Sequence, residues 1–313
     1  MVAMVADAND DMTKMPTETG SPSIQEPISV VVVTYNRVRL LDRTIKAVLT
    51  QSYGNFELLI ADDASTDGSQ EVCERAQAAD RRVRYVRRTT NLGMPQNLNL
   101  GLREARYDSI AILHDDDQYS PRLLESWKRA LDAWPTAGFV FNAYQSVSIS
   151  SGELCITCEP FLACTAGRRF LERAFFARWR FDSPVWGCAM VRKKALEVVG
   201  YPDEHFGFWA DVDFWMRLAA QFDVAYVPEP LITITAATEA PHQFDDDFQS
   251  QLRLIAAAFL AARRRHYPAG SCLARLEQVK HRVFLAAVQC QHAMFEARHR
   301  IMPGRSPRRQ ANR

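Results

Sequence analysis

The residues with the most chemical content are carboxylates that follow apolar runs. Asp115, Asp116 and Asp117 follow the run at 109–113, and Asp62 and Asp63 follow another at 56–61. Three carboxylates within one turn repel one another by on the order of 1 kcal/mol per pair unless a cation or solvent neutralises them. A hard divalent ion, manganese or magnesium, suits such oxygens. Bound by one or two carboxylates and by phosphate oxygens, it would hold a nucleoside diphosphate and act as a Lewis acid on its departure. A solvated acidic loop, or a helix start ahead of Pro121, would use the same residues without a metal. Asp62, Ser65 and Asp67 likewise have an ordinary use in shaping a turn and capping a helix that begins near Ser69.

These residues need a frame that brings them together. From Ile28 the chain alternates short β-branched runs with amphipathic stretches, the pattern of parallel strands joined by crossover helices. Strands are expected at 28–34, 56–61, 83–86 and 109–113, and helices at 70–79 and 95–105. The fold class is therefore an α/β domain with a mostly parallel, doubly wound sheet. In such sheets ligands gather beyond the carboxyl ends of the strands. Thr34, Tyr35 and Asn36 close the first strand, Asp62 and Asp63 the second, Asn91 and Gly93 come after the third, and the aspartate run after the fourth. Four separate segments thus converge on one rim.

Composition excludes other classes of partner. Lysine plus arginine number 38 and aspartate plus glutamate 37, so no global field selects nucleic acid. No apolar stretch approaches the roughly 20 residues of a membrane-spanning helix. Residues 1–26 lack the basic start and apolar middle of a secretory signal and read as a disordered tail. Seven cysteines, an odd number over a long chain, fit reduced thiols in a cytoplasm. Cys155 and Cys158 form a C-x-x-C with Cys164 six residues on, but no histidine lies nearby to complete a zinc site, so plain thiols are favoured.

The order of the motifs resembles the family-two inverting glycosyltransferases of the GT-A fold, over roughly residues 27–235. The resemblance rests on Thr34, Tyr35, Asn36 and Arg37 after the first strand, and on Asp62, Asp63, Ala64, Ser65, Thr66 and Asp67 after the second. It continues through Asn91-Leu92-Gly93, Asn99-Leu100-Gly101 and Asp115 to Asp117, with Tyr119 and Pro121 beyond. It implies that Thr34, Tyr35, Asn36, Arg37, Asp63, Asn91, Gly93, Asn97 and Asp115 bind the nucleotide. Tyr35 would stack on a uracil-like base and Asp63 would accept from a ring N–H. Asn91 and Asn97 would offer amides to hydroxyls, and Gly93 would let the backbone approach the ligand. The metal is expected on Asp116 and Asp117, with Asp116 the first choice.

In the second half, Met190, Val191, Arg192 and Lys193 lead through Gly200, Asp203 and Glu204 to Asp211, Val212, Asp213, Phe214, Trp215, Met216, Arg217 and Leu218. The resemblance assigns Asp211 as the general base, at the start of a helix over 211–221. An N-cap role would also favour aspartate there. Trp209 and Asp213 are expected at the acceptor or sugar pocket. The chain departs from the family at three places. Ala210 replaces the usual glutamate before the base, His114 stands where an aspartate is commoner, and 232–237 lacks a histidine. His242 could substitute from the next segment but reads better as a surface histidine, and the aspartates at 245–247 as a solvated helix start rather than a second metal site.

The activity implied by the resemblance is that of a non-processive, hexosyltransferase-type enzyme of glycan or polysaccharide biosynthesis. It would use Mn2+ or Mg2+ and move one sugar from a UDP- or dTDP-sugar to a hydroxyl acceptor. The alternative is a sugar-nucleotide-binding protein that has lost transfer. The domain layout is a tail at 1–26, a glycosyltransferase domain at 27–235 divided into 27–142 and 143–235, a helical extension at 236–299 interrupted by Arg263, Arg264 and Arg265, and a basic tail at 300–313. Placement is expected in the cytoplasm. The arginine-rich tail offers a second option, peripheral contact at the cytoplasmic face of a membrane.

Overall fold

The structure, a computed structural model, describes residues 26–147, 154–159, 161–176, 183–185, 187–234, 248–267 and scattered positions between 270 and 286. In chain order, β1 (Ile28–Thr34), α1 (Val38–Leu49), β2 (Phe56–Asp62), α2 (Ser69–Ala79), β3 (Val83–Arg87), α3 (Met94–Glu104) and β4 (Ser109–Leu113) make the expected alternation. Then come β5 (Gln118–Tyr119), α4 (Leu123–Ala133), β6 (Ala137–Val147), β7 (Leu154–Thr157), β8 (Cys164–Thr165) and α5 (Gly167–Phe170), which runs on into a π-helical turn over Leu171–Phe176. The chain continues with β9 (Ala189–Arg192), α6 (Lys193–Val199), a 3-10 segment over Glu204–Trp209, α7 (Ala210–Ala219), β10 (Asp223–Ile234) and α8 (Phe248–His266).

The strands form one sheet in the order β3-β2-β1-β4-β9-β6-β10-β5, with β7 on β6 and β8 on β10. β3, β2, β1 and β4 are parallel to one another. β9 is antiparallel to both β4 and β6, and β10 is parallel to β6. Six strands therefore point one way, with β9 reversed among them and the short strands β5, β7 and β8 reversed around them, which is why the sheet reads as mostly parallel.

The valine run of β1 is buried on both faces, as a central parallel strand requires. Val30 and Val32 face one apolar layer with Leu41 and Ile45 of α1 and Trp127 of α4. Val31 faces the other, with Leu98 and Leu102 of α3, Phe214 of α7 and Phe259 of α8. Fully burying each such side chain is worth about 1.5–3 kcal/mol, so the layers fix the strand ends firmly.

Two expectations about layout change. The border at 142/143 falls inside β6, so the two halves of the domain share a strand. The arginines at 263–265 do not interrupt a helix, because α8 runs through them. Arg263 is buried with its guanidinium 5.4 Å from the centre of the Phe176 ring. The tails at 1–25 and 300–313, His242 and the aspartates at 245–247 lie outside the described residues, as does most of 236–299 beyond α8. No helix among the described residues is long and apolar enough to cross a membrane.

Two glycines measure how tightly the layers are set. A methyl group on Gly167 would run into the backbone carbonyls of Phe222 and Ala219, whereas one on Gly101 would meet only the tip of Val31, at 2.9 Å. Overpacking of this kind costs about 1–3 kcal/mol where the neighbour cannot yield. Gly167→Ala is expected to fall at the upper end of that range, and Gly101→Ala well below it, in denaturant unfolding. Equal losses would mean that the α5 start is not seated against the end of α7 and the turn that follows it.

Candidate active site

The parallel register brings the motif-bearing strand ends side by side. Thr34 pairs with Asp62, Asp62 with Arg87, and Val32 with Leu113. Because β9 is reversed, its start joins the same rim, with Ala189 opposite Ile112 and Gly187 and Cys188 just ahead of it. β10 closes the far side where Ile232 pairs with Tyr119.

The β1 and β4 ends are tied by charge. Asp115 is 5% exposed. It accepts from Thr34 Oγ1 at 2.7 Å and from Arg37 Nη1 at 3.0 Å, while its backbone oxygen accepts from Thr44 Oγ1 at 3.0 Å. The same guanidinium nitrogen reaches Asp116 Oδ2 at 2.8 Å. Burial pushes the Asp115 carboxyl up, and Arg37 and Thr34 pull it back. Burial alone would lower Arg37, but the two carboxylates hold it above its ordinary value. Asp115, expected to contact nucleotide, is thus a buried tie between strands. Arg37 is the cation that Asp115 and Asp116 share in this structure.

Asp117 belongs to a different group. It is buried, His114 Nδ1 lies 3.7 Å from its Oδ2, and Cys188 Sγ donates toward that oxygen at 3.8 Å. Among the described residues these three form the one set of potential metal ligands. Tyr119 backs the set, donating its hydroxyl to the His114 carbonyl at 2.7 Å. Gly187 has φ 69°, and the His114 ring fills the space a Cβ would take there. Cys188 was not singled out from sequence. Its signal, a Gly-Cys pair ahead of a four-residue apolar strand, is weak until the direction of that strand is known.

The loop after β2 is built from its own carboxylates. Asp62 is fully buried, accepting from Ser65 N at 2.9 Å and Tyr85 Oη at 2.7 Å. Asp67 does cap, but across segments. It accepts from Val38 N at the start of α1 at 2.9 Å and from Ser69 N and Oγ at the start of α2. Asn36 and Ala64 both sit at positive φ, 53° and 66°, a costly region for non-glycine residues. The Asn36 strain is held by its Oδ1 accepting from Thr66 N at 2.7 Å and its N donating to Ser65 Oγ at 2.9 Å.

Asp63 receives Leu92 N and Gly93 N, each at 2.8 Å, which pins the 91–93 loop over the β2 end. Asn91 Oδ1 also takes Gly93 N, at 3.0 Å. Gly93 adopts φ 87°, the conformation that lets this backbone turn toward the rim. Tyr35 is half-buried and Asn91 exposed. Asn97 is not available to a ligand. At 1% exposure it donates to Ala61 O at 2.8 Å and accepts from Arg88 Nε at 2.9 Å, joining α3 to the sheet.

Asp211 stands in the first turn of α7, whose N-cap is Trp209, so the capping alternative does not account for it. Its Oδ1 accepts from Val212 N at 2.7 Å. Burial raises its pKa to about 6 against the opposing pull of the His114 imidazole and the Val212 N–H. A kink at Gly207 (φ 53°, ψ −126°) turns the chain just ahead of it, with Trp209 half-buried and its ring edge-on to Phe208 at 5.2 Å. Asp213 is not a pocket residue. It is 1% exposed and accepts from Arg217 Nε at 2.6 Å and from Arg265 Nη2 at 2.9 Å, locking α7 to α8. Its i,i+4 spacing to Arg217 was the sequence signal for that.

The comparisons agree with this frame. Residues 29–200 match the sequence profile described as glycosyl transferase family 2. Glycosyltransferase GlyG of Streptococcus pneumoniae is 35% identical over 162 residues, 51% of this chain and 54% of GlyG, so the chain spans about half the length of that relative. Among solved structures, residues 1–349 of Staphylococcus aureus TarS superpose with TM-score 0.57 at 17% identity, over 74% of this chain and 65% of that one. The mannosyltransferase PcManGT of Pyrobaculum calidifontis, solved with GDP-Man and Mn2+, gives 0.51 at 17% identity, over 91% and 84%. TarS has also been solved with UDP and with UDP-GlcNAc.

A raised carboxyl pKa has a measurable effect on stability. An aspartate near 4 when unfolded and at about 6 when folded binds its proton more tightly in the native state. Stability therefore falls as pH rises from about 4 to about 6 and stays lower above. Asp211→Asn is expected to melt higher than the parent at pH 7.5, with the gap closing below about pH 4. A gap independent of pH would show that Asp211 titrates normally.

Proposed function

Because the chain belongs to glycosyl transferase family 2, we propose that it moves a single sugar from a uridine or thymidine diphosphate sugar to a hydroxyl of a glycan, lipid-linked glycan or small molecule, with inversion at the anomeric carbon. The observation that carries this reading is Asp211. A carboxyl group held at about 6 beside the rim is poised to accept a proton near neutral pH. In the proposed step the acceptor hydroxyl gives its proton to Asp211 as its oxygen forms the new bond to the anomeric carbon. The bond to the diphosphate breaks on the opposite face and its electron pair leaves with the phosphate oxygen.

Other residues would bind and orient. Tyr35 would stack on the base. Asp63 keeps lone pairs beyond those given to Leu92 and Gly93, enough to accept from a pyrimidine N–H. The exposed Asn91 amide, with Asn36 at the β1 end, would face the sugar and ribose hydroxyls, and Trp209 would wall the acceptor. Thr34, 4% exposed, gives its hydroxyl to Asp115 instead. A divalent ion would be held by Asp117, with Asp116 beside it. When bound, such an ion would neutralise charge developing on the departing diphosphate. Support for a nucleotide-sugar donor comes from the UDP-GlcNAc and GDP-Man complexes of the structural neighbours.

A second reading is favoured by one observation. Ala210, buried where the family usually carries glutamate, leaves the base without an acidic neighbour, which suits a nucleotide-sugar-binding protein without turnover. Incubation with manganese and a panel of nucleotide sugars separates the two. The transferase releases nucleoside diphosphate, and Asp211→Asn keeps nucleotide affinity while losing about 10²–10⁴-fold in kcat. The parent's kcat/KM is expected to fall as pH drops below about 6, where Asp211 is protonated. Binding without diphosphate release from any donor would establish the second reading, and no binding at all would sink both.

A further inference from the structure

The proposed transfer uses only one member of the His114, Asp117 and Cys188 group. Each offers a ligand atom within 4.8 Å of the other two. The measured separations from Asp117 Oδ2 are 3.7 Å to His114 Nδ1 and 3.8 Å to Cys188 Sγ. A tetrahedral zinc ion with bonds of about 2.0–2.3 Å sets its ligand atoms about 3.4–3.6 Å apart. The two separations from Asp117 lie within a few tenths of an ångström of that spacing, and the third, between His114 and Cys188, is at most 4.8 Å.

We propose that His114, Asp117 and Cys188 form a three-ligand site for a borderline divalent ion such as zinc or cobalt, with a fourth position open at the rim, and that the chain prefers such an ion to magnesium. Two of the three donors are not oxygen. Magnesium demands six oxygens in near-octahedral array, whereas imidazole and thiolate favour zinc and cobalt. Three protein ligands with one open position is also the arrangement of zinc sites that act on a substrate.

The surroundings are built for it. Gly187 at φ 69° leaves room for the imidazole and delivers Cys188 beside it. Tyr119 fixes the His114 backbone from below. Cys188 and Asp117 are 4% and 8% exposed, so an ion there would meet ligands already ordered and largely shielded from water. Burial and the Asp117 charge keep the Cys188 thiol protonated in the absence of an ion. Binding therefore releases that proton as the sulfur–metal bond forms.

The site rests on the transferase reading for what the ion does in transfer, since Asp117 is shared, but not for whether it binds. The whole chain, stripped with chelator, is titrated with cobalt(II) and followed by absorbance. The expected result is an intense near-ultraviolet sulfur-to-cobalt band that equimolar zinc removes and millimolar magnesium leaves unchanged. Cys188→Ser should abolish the band and weaken zinc binding by more than the about 10–100-fold that loss of an outer partner costs. Should the serine variant fail to fold, His114→Ala decides, by retaining the sulfur band at a cobalt concentration raised at least about tenfold. Absence of the band in the parent, magnesium competing on equal terms, or parental zinc affinity in either variant would overturn the proposal. The transferase reading fails separately: zinc bound with no diphosphate released sinks that reading alone, and magnesium-supported transfer without a cobalt band sinks this one alone.

Discussion

The rim depends on one requirement, that the carboxylate of Asp115 at the end of β4 be compensated where water does not reach. Arg37 and Thr34 meet it from the end of β1, and Thr44 holds the Asp115 carbonyl from α1. Leaving one partner of a buried ion pair alone costs about 3–5 kcal/mol, against at most about 1 for a pair in water. For a chain whose whole stability is on the order of 10 kcal/mol, such a tie fixes the relative height of two strands. His114, Asp116 and Asp117 inherit their positions from it. The bond that neutralises two of the three aspartates also leaves the third to other partners.

A second buried ion pair does the equivalent work in the second half of the domain. Asp213 bridges Arg217 on its own helix and Arg265 on α8, and Arg217 also holds the carbonyls of Val199 and Tyr201, each at 2.7 Å. α7 is thereby fixed against three segments, and Asp211, two residues earlier, is held by a helix that cannot roll. Since β6 crosses the border between the halves and β9 joins β4 to β6, the two halves share one hydrogen-bonded sheet. Asp211 and the aspartate run thus belong to one rigid frame.

The first half was legible because its signals are local. Runs such as Val30 to Val33 declare a strand buried on both faces, and Leu41, Ile45 and Val48 declare a helix face. The convergence of four strand ends comes from parallel pairing alone, and the family assignment from their order. What could not be read depends on direction or on distant partners. Asn97 looked like a ligand because the sequence does not reveal Arg88 and the Ala61 carbonyl beside it. Asp116 and Asp117 are alike in sequence and parted by where Arg37 reaches. Cys188 acquires its neighbours only because β9 runs against β4.

Gly187 extends that dependence beyond a single chain. The imidazole of His114 lies in the space that any side chain at 187 would occupy. The two positions are therefore not independent letters. A lineage that keeps a small aspartate at 114 faces only the cost of a positive φ at 187, while one that acquires histidine must first, or at once, hold glycine there. Across related sequences the pair should change together, and the order of the changes is fixed by volume rather than by charge.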